Sequence, residues 1–127
     1  MIAEMLQNLY PHLLGFHGLF RWVVLVLAVV VIVIGFSGWS GAKPASASLV
    51  RSSIFFVLAM DLEFLIGVLL YFGASPALRS AYIPHGVITF LAVLCAHVTV
   101  AFSRKGSTHA SEYRAPALPP APPPLPL

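Results

Sequence analysis

Charge is what this sequence has least of. Only 9% of its 127 residues are Asp, Glu, Lys or Arg, whereas a water-soluble domain needs about a quarter to cover its surface. An ordinary soluble domain is excluded. Cysteine is nearly absent, and the single Cys95 allows no internal disulfide and no cysteine-cluster zinc or iron–sulfur site. Seven basic residues against four acidic give a net charge of +3, too small and too close to apolar runs to mark a nucleic-acid partner. There is no glycine-rich phosphate loop, nucleophile elbow or metalloprotease motif. The chain therefore does not read as an enzyme in its own right, and it carries no internal repeat.

What it has is apolar length. Hydrophobic residues make up 59% of the sequence, and the mean hydropathy is +0.93. A hydrocarbon core of about 30 Å takes roughly 20 apolar residues in a helix, and residues 13–36, 50–72 and 83–102 each supply that. The expected fold is an all-α membrane protein of three transmembrane helices, a bundle over residues 13–105. Residues 1–12 are expected to form an N-terminal interfacial segment and residues 106–127 a proline-rich tail. The first apolar run is too long for a signal-peptide core, so no cleavage is expected. Pro11, Pro76 and Pro84 are expected at helix boundaries, where a missing backbone donor matters least. The connections at 37–49 and 73–82 are short, so consecutive helices run antiparallel.

Basic residues near span ends resist translocation. Lys43, Arg51, Arg104, Lys105 and Arg114 fall on one side and only Arg79 on the other, which places the N-terminus outside and the C-terminus in the cytoplasm of a bacterial inner membrane. Tyr10, Tyr71 and Tyr82 would form the outer aromatic belt and Trp39 the inner one. Residues 115–127 read APALPPAPPPLPL, which suits either a disordered tail or an extended polyproline strap of roughly 40 Å.

Ionisable groups in lipid cost several kcal/mol unless paired or sheltered, so each is a functional candidate. Counting about 1.5 Å per residue, His17 on the first helix and His85 on the third sit at similar height. Arg21 follows His17 by four residues, and Val24, Ala28 and Gly35 continue the stripe expected to face inward. Ala59, Glu63 and Gly67 form the matching stripe on the second helix, and an Arg21–Glu63 ion pair is the expected closure. Asp61, two residues from Glu63, points to a nearly opposite face. It can be relieved by His97, by protonation or by a neighbouring protein. Cys95 is expected to be a buried small hydrophobe.

Two histidines at matched depth on facing helices suit the axial ligands of a b-type haem, with Arg21 meeting propionates and Gly15, Gly18 and Gly86 admitting a flat macrocycle. The same histidines also suit plain interhelical hydrogen bonding with no cofactor, ligation of (bacterio)chlorophyll magnesium, or a proton relay. His97 lies about 18 Å deeper than His85. It is a second cofactor-site candidate or the partner of Asp61.

At these residues the chain resembles a family of small bacterial inner-membrane proteins described as b-type cytochromes. Residues 9–22 read LYPHLLGFHGLFRW, similar to that family's opening Tyr-Pro…His-Ser-Gly-Leu-Arg-Trp. Asp61-Leu62-Glu63-Phe64-Leu65-Ile66-Gly67, followed by Tyr71-Phe72, resembles its second-helix core, and Pro84-His85-Gly86 with Ala96-His97 resembles its third. The resemblance spans residues 9–105 and implies that His17 and His85 are haem ligands, with His97 a further candidate. Glu63 replaces the family's amide, Pro84 replaces its acidic residue, and the proline-rich stretch stands where the family has a fourth helix. These departures favour a unit docked against larger proteins.

The leading expectation is thus an accessory transmembrane subunit of a respiratory or photosynthetic electron-transfer complex, contacting lipid and larger subunits. The second is a b-haem cytochrome relaying electrons between quinol and a periplasmic partner. A (bacterio)chlorophyll-binding protein is the third.

Overall fold

The computed structural model describes residues 1–41 and 46–113, with side chains to residue 105. It consists of three helices, α1 (Ile2–Ser40), α2 (Ala47–Gly73) and α3 (Pro76–Tyr113). All three are long and apolar enough to cross a membrane. The all-α, three-helix fold expected from the apolar runs is therefore the fold observed. Lys43, Arg114 and the polyproline stretch lie outside the described residues.

The helices outrun the predicted spans. Residues 2–12 are helical and continuous with the first span as the first turns of α1, and α3 begins seven residues before residue 83. An apolar run marks where a helix crosses lipid, while the helical hydrogen-bond ladder continues into its polar flanks at little cost. Pro11 and Pro84 accordingly sit inside helices rather than at their ends. Each removes one ladder donor, leaving the carbonyls of Gln7 and Ser80 without that partner, a loss that membrane helices tolerate. Pro76 does begin its helix, in the position where its fixed φ is pre-set.

The connections are tight. Ser46 caps α2 by accepting a hydrogen bond from the Leu49 amide at 3.1 Å. At the other end the chain turns into α3 through Ala74 and Ser75, and Arg79 reaches back to donate to the carbonyls of Ala74 (3.2 Å) and Phe72 (3.1 Å). That places a cation on the unsatisfied carbonyls at the negative end of the α2 dipole.

α2 is the middle helix. It packs against α1 on one side and α3 on the other, and among the described residues the backbones of α1 and α3 do not come close to each other. In the most apolar stretch of each helix, 33% of α2 is buried inside the protein against 6% of α1 and of α3. Its buried set is Ser53, Val57, Ala59, Glu63, Ile66 and Leu70, where small residues let neighbouring backbones come close. Gly73 is the tightest of the described glycines, since an added Cβ would meet the Leu6 carbonyl oxygen at 3.2 Å and Tyr10 at 3.3 Å. Gly35 against Leu49 and Asp61 against His97 confirm that neighbours run antiparallel.

On α1 the side chains turned inward recur as Leu6, Tyr10, Leu13, His17, Phe20, Val24 and Leu27. This is a period near 3.5, that of helices packed at a shallow crossing angle. Val24 and Gly35 fall on or beside this stripe, as expected, but Arg21 does not. Arg21 is exposed.

A cleft between the outer helices

Because α1 and α3 are held apart by α2, a cleft runs between them with α2 as its floor. Its volume is about 500 Å³, and Leu14, His17, Glu63, Gly67, Tyr82 and His85 are among the residues that line it. That volume falls within the range of small-molecule and cofactor sites, which run from about 300 to 1,000 Å³. The walls are otherwise apolar, including Phe64 and Phe90, whose rings pack 5.8 Å apart.

His17 and His85 face each other across this cleft. Their ring centres are 6.5 Å apart and their planes nearly perpendicular, at 85°. Nearer the α2–α3 connection, two turns from His17 on α1 and about one from His85 on α3, the hydroxyls of Tyr10 and Tyr82 share a hydrogen bond. These two pairs link α1 to α3. The histidine pairing follows from the matched depths counted in the sequence. The tyrosine bond was not anticipated, although the placing of Tyr10 and Tyr82 at one level contained its signal.

Behind His17 stands Glu63. His17 Nδ1 lies 3.1 Å from Glu63 Oε1, close enough to pair but off the line of a hydrogen bond, and Nδ1 and Glu63 Oε2 are both buried without a hydrogen-bond partner. The expected Arg21–Glu63 pair does not form. Residues four apart on a helix are offset by about 40°, and the 3.5-residue stripe takes Phe20 inward in place of Arg21. Arg21 instead lies over the Trp22 ring at 5.6 Å.

Asp61 points to the other flank of α2. Its Oδ2 lies 3.3 Å from His97 Nε2, while His97 Nδ1 donates to the Val93 carbonyl at 2.9 Å. With both ring nitrogens engaged, His97 has none left for a second cofactor, so it is the partner of Asp61. The two carboxylates on opposite faces of α2 are each met by an imidazole, one from α1 and one from α3. A middle helix has two protein-facing flanks.

Other expectations change as well. Of the glycines expected to admit a flat ligand, Gly15 and Gly18 have nothing within 4 Å and lie away from the cleft, whereas Gly86 lines it. Gly67 is the glycine against His17, with an added Cβ 3.7 Å from His17 Cε1. Cys95 is exposed rather than buried, on the outward side of α3.

Among the described residues no three His, Cys, Asp or Glu side chains converge on a metal position. A metal held by His17 and His85 must therefore bring its remaining ligands with it. No family model, no curated protein and no solved structure matches the chain.

Proposed function

We propose that this chain is a membrane-embedded electron-transfer protein that holds one b-type haem between His17 and His85. The observation that carries the reading is the facing pair of imidazoles. Two imidazoles on opposite sides of one metal, each about 2 Å from it, hold their ring centres about 6 Å apart, and these stand at 6.5 Å. A macrocycle that supplies four further nitrogens would complete a donor set of two. The cleft is apolar and bare of side chain at Gly67 and Gly86. Glu63 Oε1 stands 3.1 Å from His17 Nδ1, within reach of the role an outer carboxylate would play in orienting a ligating imidazole and leaving its other nitrogen free. Bound there, the group would supply a one-electron couple within the membrane. Magnesium ligation in a (bacterio)chlorophyll uses one histidine and gives the second no task, so haem is favoured. The resemblance of residues 9–105 to small b-type cytochromes points the same way, and the charge asymmetry of the sequence leads us to assign the chain to a bacterial inner membrane with its N-terminus outside.

The test is an alkaline pyridine spectrum of the purified chain. A reduced b-type α band is expected, lost in His17→Ala and in His85→Ala; a colourless wild-type protein of intact helical content defeats the proposal.

A second reading, the accessory subunit, rests on a different observation. The side chains of Asp61 and His97 are 40% and 50% exposed in the middle of α2 and α3, and lipid is a poor cover for them. A larger subunit packed on the α2–α3 seam would cover them. Mild-detergent native electrophoresis decides this, since a chain that migrates alone at full yield has no such partner.

A further inference from the structure

The Asp61–His97 pair lies outside the cleft and plays no part in holding a group between His17 and His85. Its atoms fix how many protons it carries. The Val93 carbonyl oxygen can only accept, so the 2.9 Å contact from His97 Nδ1 requires a hydrogen on Nδ1. Neutral His97 then presents a bare lone pair at Nε2, and Nε2 faces Asp61 Oδ2 at 3.3 Å. Were Asp61 also ionised, two acceptors would confront each other across that gap, with an uncompensated negative charge beside them. Asp61 is 14 residues from the start of α2 and 12 from its end, about 20 Å from either, the depth at which a carboxylate is least tolerated.

One added proton removes both problems. Placed on Asp61 it gives a neutral carboxyl donating to Nε2; placed on Nε2 it gives an imidazolium facing a carboxylate. The pair is uncharged either way. A second proton would leave a net cation in the same position. We propose that Asp61 and His97 form an intramembrane binding site for a single proton, on the α2–α3 flank and independent of the cleft. The site lies on the outer flank of the helix pair, with 40% of the Asp61 side chain and 50% of the His97 side chain uncovered by this chain.

The experiment counts protons on the full chain in lipid nanodiscs, using the infrared carbonyl stretch of protonated carboxyl groups together with ¹⁵N NMR of labelled histidine, assigned with His97→Gln. A count of one is expected in either form. In the first, a protonated-carboxyl band disappears in Asp61→Asn and survives in Glu63→Gln, while His97 carries hydrogen on Nδ1 alone. In the second, no such band belongs to Asp61 and both nitrogens of His97 are protonated. A carboxylate facing a singly protonated ring, a carboxyl facing an imidazolium, or a His97 without hydrogen on Nδ1 overturns the proposal. If Asp61→Asn does not fold, the wild-type and Glu63→Gln spectra together give the count, since a band that survives in Glu63→Gln does not come from Glu63. None of these readings changes with the presence or absence of haem.

Discussion

Alanine at Gly73 measures how tightly the two tyrosines close one end of the bundle. A methyl group there would stand 3.2 Å from the Leu6 carbonyl oxygen and 3.3 Å from Tyr10 Cδ2, against an optimal separation of about 3.5–4.0 Å. α1 must retreat by a few tenths of an ångström. A backbone oxygen cannot swing aside like the tip of a side chain, and Tyr10 is tethered from its far side by the bond to Tyr82. Overpacking of this kind costs about 1–3 kcal/mol. Gly18 provides the control, since nothing lies within 4 Å of its Cβ position and Gly→Ala in mid-helix gains up to about 1 kcal/mol. Gly73→Ala should therefore be less stable than Gly18→Ala by about 1–3 kcal/mol. At this chain length that is a gap of at least about 4 °C in Tm, read by circular dichroism in one detergent. If the two variants melt together, α1 and α2 are not in the close contact described, and the spacing of His17 from His85 loses its support at that end.

Four further outcomes follow from the same geometry. Tyr10→Phe and Tyr82→Phe should each lower stability by about 1 kcal/mol, and the double variant should fall no further than the worse single one, because both remove one bond. Asp61→Leu alone should destabilise by about 1–3 kcal/mol by stranding His97, with much of that recovered in Asp61→Leu/His97→Leu; an additive loss in a double-mutant cycle would mean that the two side chains do not pair. Coupling between Arg21→Leu and Glu63→Gln should be smaller than that between His17→Leu and Glu63→Gln, since Arg21 faces outward. Gly67→Ala, with room at 3.7 Å, should keep the haem spectrum, whereas Gly67→Leu should abolish it without loss of helix content; a full spectrum in the leucine variant would place the ligand elsewhere.

The spans were legible because lipid imposes a single requirement, about 20 apolar residues, and the three runs meet it. Their ends were not, since no residue near position 12 or 83 opposes a helix strongly enough to stop one, Pro11 and Pro84 included. The juxtaposition of His17 and His85 could be counted from rise per residue, a quantity that survives any rotation of the helices. The partner of Glu63 depends on rotation. A 40° offset separates His17, which faces α2, from Arg21, which faces away, and a sequence with a straight-helix period assigns both to one face. The shelter given to Asp61 depends on arrangement, because depth alone does not say that α2 stands between the other two. With α2 at the edge of a triangle, one of its two carboxylates would have met lipid.

The separation of the α1 and α3 backbones has a mechanical consequence. The outer helices behave like the arms of tongs riveted by Tyr10 and Tyr82 near one tip, with α2 as the spine against which both lean. Among the described residues the backbones of the two arms do not approach each other, so the tyrosine bond and the histidine pair act across a gap that side chains bridge.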